Sequence, residues 1–366
     1  MLTKADDYPI HQTPEPIAYS GTDRNFYDRY FFNGYQRQGD LFFAAALGVY
    51  PHLNVMDAAF SFILDGKQHN TFGSKTLHME RLDTRVGNIE IEVVKPLEEL
   101  KIRVADRTSK LSAELTFQAR FPAIEEPRFI RRTGSMTSMD YTRLTQNGCY
   151  EGWIEFDGQR FDVARQDWWG TRDRSWGIRS IGMGDPQPNP YATAPQFFWL
   201  WSPLNFEDFA TFYHLNASAT GESWNTSGRI VTTEQSRKLV QVDSKLTFQP
   251  GTRHAAHALI TLGSTTDNPT TIELESTGTF YMKGIGYGHP EWSHGHYHGE
   301  LETGFETYDL ATMSAADPSH FHIQAICNAE CRSPDGSVHQ GKGILEQLVI
   351  GPYEPYGFSE LMDLAE

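Results

Sequence analysis

Cysteine is scarce in this 366-residue chain, which has three: Cys149, Cys327 and Cys331. They cannot all pair, and Cys327 and Cys331 form a lone C-x3-C rather than half of a doubled zinc motif. Reduced thiols are therefore expected, as in a cytoplasmic protein. Basic residues are also few, 31 Lys and Arg against 47 Asp and Glu, for a net charge of −16. An acidic surface repels DNA, RNA and anionic lipid, so no nucleic-acid partner is expected, and the partner sought is neutral, apolar or cationic. Long hydrophobic runs are missing. The most apolar stretches, Leu41 to Tyr50 and Phe197 to Trp201, fall short of the ~18–20 residues a membrane helix needs, so no membrane insertion is expected. The start, MLTKADDYPIHQTPEP, has acids and prolines where an export signal needs a basic and then an apolar region. No G-x-x-x-x-G-K-[ST], G-x-S-x-G or H-E-x-x-H occurs, which leaves a nucleotide fold, a hydrolase elbow and a zincin unsupported.

Helical periodicity is nearly absent, and a short tail helix over Ser359 to Ala365 is the exception expected from its Ser N-cap and Leu361, Met362 and Leu364. After an aromatic-rich start at Asn25 to Asp40, read as irregular, period-two segments dominate. Ile89, Ile91 and Val93 alternate with glutamates, and Leu111, Ala113, Leu115 and Phe117 share one face, the pattern of strands with one buried side. Asp65-Gly66, Asp157-Gly158 and Asp335-Gly336 sit between such runs and predict two-residue hairpins. Strands are expected again at 239–248, 254–262, 271–280, 294–308, 320–327 and 338–350. The Pro- and Gly-dense stretch Gly182 to Pro195 reads as a crossover between two β-domains, 1–190 and 191–366. So many strands without covering helices must close, which predicts an all-β protein of two antiparallel barrels or strongly curved sheets packed together. A small ligand would bind inside or between them.

Two clusters carry candidate chemistry. The first is Trp168-Trp169-Gly170-Thr171-Arg172-Asp173-Arg174-Ser175-Trp176-Gly177-Ile178-Arg179, in which tryptophans around ionisable groups offer a low-dielectric setting for acid/base work by Asp173. Pairing of Asp173 with Arg172 or Arg174, with Trp176 plugging a barrel floor, is the purely structural alternative. In the second, period two on a strand puts His294, His296, His298 and Glu300 on one face. Those histidines suit proton transfer or substrate hydrogen bonding, a zinc or iron site, or a solvated face. Tyr141, placed ahead of an expected Asn147-Gly148 turn, could polarise a substrate oxygen or pack in the core. Phe197 to Trp201 reads as buried on both faces, with Trp199 and Trp201 available to line an aromatic site beside Trp292.

Asp173-x-x-Trp176-Gly177 resembles the D-x-x-W-G element of the lipocalin-like tandem-barrel superfamily that includes carotenoid 1,2-hydratases and AttH-like proteins. The chain is more closely similar to a large bacterial family of the same two-part plan, through FFNGY (Phe31 to Tyr35), ALGVYPHLNVMDAAFS (Ala46 to Ser61), DTRVG (Asp83 to Gly87), EEPRF (Glu125 to Phe129), MDYTRLTQ (Met139 to Gln146), GTRDRSWGIR (Gly170 to Arg179), PQFFWLWSPLNF (Pro195 to Phe206) and GYGHPEW (Gly286 to Trp292). The resemblance implies paired lipocalin-like barrels around a hydrophobic pocket where protonation, hydration or cyclisation proceeds without metal or nucleotide. Arg174 stands where relatives commonly carry His, so Asp173 is the implied acid/base and His296 or Tyr141 its partner. The resulting expectation is a cofactor-independent lyase (hydratase, dehydratase or carbon–carbon lyase) acting on a bulky aromatic or isoprenoid-like molecule. Asp173 would move the proton, Arg172 or Arg174 would tune it or stabilise an anion, and His296 with Tyr141 would handle a hydroxyl. Trp176, Trp199, Trp201, Trp292, His294 and His298 would bind substrate. The alternatives are a non-catalytic carrier of a hydrophobic metabolite and a metal enzyme built on His294, His296 and His298. A homodimer is the default assembly.

Overall fold

The computed structural model describes residues 14–184, 187, 195–264 and 268–366; the expected boundary near residue 190 lies outside them. Every strand pairing is antiparallel, and no α-helix occurs among the described residues. The strands are β1 (Phe26–Gln36), β2 (Phe42–Tyr50), β3 (Val55–Leu64), β4 (Lys67–Thr76), β5 (Arg85–Val86), β6 (Ile89–Lys95), β7 (Glu99–Asp106), β8 (Leu111–Ala119), β9 (Ile124–Glu125), β10 (Phe129–Thr133), β11 (Met136–Phe156), β12 (Gln159–Val163) and β13 (Trp168–Ile178). They continue as β14 (Phe197–Asn205), β15 (Ala210–Ala217), β16 (Ser223–Val231), β17 (Ser236–Leu239), β18 (Val242–Phe248), β19 (Ala255–Leu262), β20 (Thr270–Tyr281), β21 (Leu301–Asp309), β22 (Ile323–Arg332) and β23 (Val338–Ile350).

A 14-stranded sheet runs β21-β4-β3-β2-β1-β13-β11-β8-β7-β6-β5, with β9, β10 and β12 attached to β11. It curls into a half-barrel whose far end returns to its start, because a Cβ on Gly73 of β4 would lie 3.0 Å from the Val86 carbonyl of β5. The second sheet runs β17-β16-β15-β14-β23-β22-β20-β19-β18. Each sheet encloses its own apolar core, one around Phe43, Phe60 and Phe117 and the other around Phe198, Leu262 and Leu274. A third core, with Phe31, Trp169, Trp199, Trp201 and Phe212, lies between the sheets. β21 leaves the second half of the chain and hydrogen-bonds to the edge of β4, which ties the two halves together.

Local expectations meet tertiary forces at five places. The Asn25–Asp40 stretch read as irregular is the central strand β1, whose odd residues face the second sheet and whose even residues face the half-barrel. Both sides are buried, so no polar alternation marks it. Asp65-Gly66 and Asp157-Gly158 make tight hairpins with both residues at positive φ, whereas Asp335-Gly336 lies in a longer loop between Arg332 and Val338. Asn147-Gly148 is no turn: β11 runs straight through it, and Gly148 is needed because a Cβ there would come 2.2 Å from the Phe117 ring. The strand expected from His294 begins only at Leu301, and 290–300 is a loop. Its glycines, Gly295 and Gly299, are at positive φ, and the Gly295 amide donates to Asp57 at 2.7 Å instead of to a ladder. The tail is not helical. Buried Arg253 takes the carbonyls of Gly351, Glu360 and Asp363, and Ala365 pairs with Gly251 and Thr252, so the groups a helix would use are claimed by the body of the protein. The cysteines are free.

Candidate active site

Three adjacent strands of the first sheet present a grid of side chains to the second. In register across β1, β13 and β11 lie Phe31–Asp173–Thr145, then Arg29–Ser175–Arg143, then Tyr27–Gly177–Tyr141. Period two puts all of these on the face that meets the second sheet. At the centre of the last row Gly177 has φ +136, and a Cβ there would sit 2.3 Å from the Asp140 carbonyl, so only glycine lets the two tyrosines flank an open space. Opposite stand Phe197 and Trp199 of β14, Glu346 and Leu348 of β23, and His322, while Tyr287 and Arg179 close one side. The cavity has a volume of about 200 Å³.

Buried polar groups line the cavity and stand directly behind its wall. Glu126, wholly buried, accepts from Arg143 at 2.8 Å, from Thr145 at 2.5 Å and from the Trp201 indole at 3.0 Å. Glu346 accepts from the Trp199 indole at 3.2 Å and from Gln324 at 2.8 Å, and His322 Nε2 lies 2.8 Å from it. Burial alone would raise the Glu346 carboxyl, but His322, Gln324 and Arg143 outweigh it and hold the group below the usual carboxylate range. Asp173 differs from both. Its half-buried carboxyl opens onto the cavity, and among the described residues no donor is hydrogen-bonded to it. Burial pushes it up to about 7, with Arg143 opposing and the negative Glu126 and Glu346 assisting. Burial likewise raises the Tyr141 phenol, which stacks on Phe129 at 4.6 Å between centroids. Arg29 and Arg179 are bonded to neutral groups: Arg29 to the Tyr287 hydroxyl at 2.9 Å and the Ile285 carbonyl at 3.0 Å, Arg179 to His294 Nδ1 at 3.2 Å. Buried ionic groups cost stability relative to apolar packing, so a concentration of them around a cavity with one carboxyl poised near neutrality makes this the candidate functional site.

A family model described as "Family of unknown function (DUF8625)" matches residues 2–359. The chain belongs to this family. No curated protein matches its sequence. In fold, this DUF8625 chain is similar to kievitone hydratase from Nectria haematococca, at 11% identity over 88% of each chain and a TM-score of 0.55. It is similar to a putative AttH from Nitrosomonas europaea, at 11% identity over 93% of this chain and 98% of the other, again at 0.55. CghA solved with Sch210972 matches at 9% identity, 89% of each chain and 0.54. At such identities the shared property is the fold, lipocalin-like and of the AttH and hydratase type.

Of the residues singled out from the DUF8625 sequence, Asp173, Tyr141 and Trp199 meet at the cavity. Trp201 stands behind it, bonded to Glu126. Arg172, Arg174 and Trp176 are on the other face of β13, where Arg172 bonds Gln146 and Arg174 pairs with Asp28, so neither arginine beside Asp173 in sequence is paired with it, although Arg172 senses its charge. His294 touches the cavity wall through Arg179 and Tyr287, and burial with two nearby arginines holds it well below the usual imidazole range. His296 and His298 both turn to the Glu291 carbonyl, and His298 stacks on Trp292 at 4.3 Å, away from the cavity. Among the described residues no three His, Cys, Asp or Glu side chains converge as metal ligands. Arg143, Glu126 and Tyr287 belong to the MDYTRLTQ, EEPRF and GYGHPEW stretches, and Arg143 is at period two from Tyr141; nothing in the sequence pointed to Arg29, His322 or Glu346.

Proposed function

We propose that this protein is a cofactor-independent lyase that adds or eliminates across a carbon–carbon bond by acid/base chemistry, with Asp173 as the proton carrier. The observation that carries this reading is a carboxyl opening onto an aromatic-walled cavity, held near pH 7 and free of hydrogen bonds that would fix its charge. A group so poised is protonated and ionised in comparable amounts at neutral pH, the condition under which one residue can give and recover a proton. The neighbouring charges select the route. Arg143 is neutralised by Glu126; Arg29 and Arg179 are hydrogen-bonded to neutral partners, with the carboxyls of Glu346 and Asp57 also nearby, and they are the donors that a developing oxyanion can use.

An enolate or phenolate route satisfies that field. In the eliminating direction, Asp173 carboxylate removes the proton next to a carbonyl and the C–H pair becomes the enolate. Arginine and the Tyr141 hydroxyl stabilise its oxygen; the pair then forms the double bond as hydroxide leaves, and that group takes the proton from Asp173 to depart as water. Hydration is the reverse. A cavity of about 200 Å³ is below the ~300–1,000 Å³ that encloses a drug-sized ligand, so it takes one substituted ring or the reacting end of a larger molecule. The kinship in fold with a protein named a hydratase supports the reaction class.

The test is incubation of the untagged protein with a panel of aromatic and isoprenoid β-hydroxy ketones and enones, read by mass spectrometry for gain or loss of water without added cofactor. Turnover is expected, and Asp173→Asn is expected to reduce it ~10²–10⁴-fold, the usual worth of a positioned acid or base. Undiminished turnover in that variant refutes the role of Asp173, and compounds that bind but return unchanged indicate a carrier.

A further inference from the structure

Strand β13 serves two cavities, one on each face. Its even residues line a second, larger one of about 720 Å³ at the mouth of the half-barrel, separated from the acid/base cavity by the sheet itself. The wall is mainly apolar, with Val93, Leu100 and Leu144 facing Tyr30 and Trp176. Set into that wall is Arg172, 3% exposed, whose Nε donates to Gln146 at 2.9 Å and whose guanidinium carbon lies 5.6 Å from the centre of the Phe117 ring. One Nη of Arg172 is buried without a hydrogen-bond partner. Leaving a charged donor unpaired in the interior is costly, and an acceptor arriving in the cup recovers that cost.

The rest of the charge in the cup is mixed, with arginines in excess. Arg174 pairs with Asp28, with one contact at 3.2 Å, and Arg81 approaches the same carboxylate at 3.8 Å, so one aspartate serves two guanidiniums while Arg172 has none. Glu15 is the other acid of the lining; three arginines therefore face two carboxylates. A wall of aliphatic and aromatic side chains with an uncompensated guanidinium set in it matches a ligand with a long apolar body and a single planar anion, since guanidinium and carboxylate meet through paired N–H···O bonds.

We propose that the half-barrel cup is a second ligand site, for amphipathic monocarboxylates of the fatty-acid type, with Arg172 receiving the carboxylate. The site is independent of the reaction assigned to Asp173, which lies on the opposite face of the strand.

Isothermal titration of the full-length protein with decanoate and with decan-1-ol tests this directly. Decanoate is expected to bind at least tenfold more tightly than the alcohol, and lengthening the acid is expected to tighten binding up to about fourfold per CH₂ buried. Arg172→Met is expected to abolish the preference for acid over alcohol. Val93→Trp, at a partly exposed position of the wall, is expected to weaken both ligands by narrowing the cup, and it keeps the test decisive should the arginine variant fold poorly. Asp173→Asn, which removes only a charge on the opposite face of the strand, is expected to shift decanoate affinity far less than either of those variants. Equal affinity for acid and alcohol, absence of binding at millimolar decanoate, or an affinity that follows Asp173→Asn and not Val93→Trp would each overturn the proposal.

Discussion

Replacing Asp173 with Asn turns the poise of the carboxyl into a measurable stability. A group at about 7 when folded and about 3.9 when unfolded holds its proton more tightly in the native state. Its favourable contribution to folding is complete below about pH 4, declines as the unfolded chain ionises first, and is gone once pH exceeds the folded value. Three pH units at 1.36 kcal/mol each give at most about 4 kcal/mol for the whole change. Of this, about 2–3 kcal/mol is lost between pH 5 and pH 8.5. Asn is neutral throughout, so Asp173→Asn is expected to become more stable relative to the parent by that amount across the interval. Urea unfolding followed by tryptophan fluorescence, with parent and variant measured side by side at four pH values, cancels the titration of every other group. A difference that stays flat with pH would show an ordinary surface-like carboxylate. A difference that moves toward the parent as pH rises would show that Arg143 outweighs burial. Either result refutes the physical basis of the proposed acid/base role.

Gly177→Ala is expected to cost at least about 2 kcal/mol, since φ +136 is foreign to alanine and its Cβ would press on Asp140 and Tyr141; thermal unfolding reads the cost, and turnover falls with it because Tyr141 is displaced. Arg253→Met is expected to cost about 2–4 kcal/mol by leaving the Gly351, Glu360 and Asp363 carbonyls unpaired, and carboxypeptidase should then trim the tail before the rest of the chain is touched.

Strand grammar was legible because its cause is local. Leu111 to Phe117 alternates with a period of two since one side of β8 faces the half-barrel core and the other does not. Where burial is two-sided the same logic loses its signal, as in β1, and where backbone groups find distant partners it misleads, as at Ser359–Ala365 and in the histidine loop. The D-x-x-W-G element shows both limits within five residues. Its Asp lines the acid/base cavity while its Trp lines the cup, a division that period two implies but that acquires meaning only once a cavity is seen on each face.

Composition and alternation act over a few residues, so an acidic, all-β protein of curved antiparallel sheets could be read from the chain, with Asp173, Tyr141 and Trp199 among its candidate residues. The charges that surround Asp173 could be read only from the folded chain. Arg29 and Arg143 reach it through strand register, and Glu346 and His322 through the packing of one sheet on another. Electrostatic effects follow distance in space, so the arginines adjacent to Asp173 in the chain, pointing to the other face of the strand, serve a different cavity.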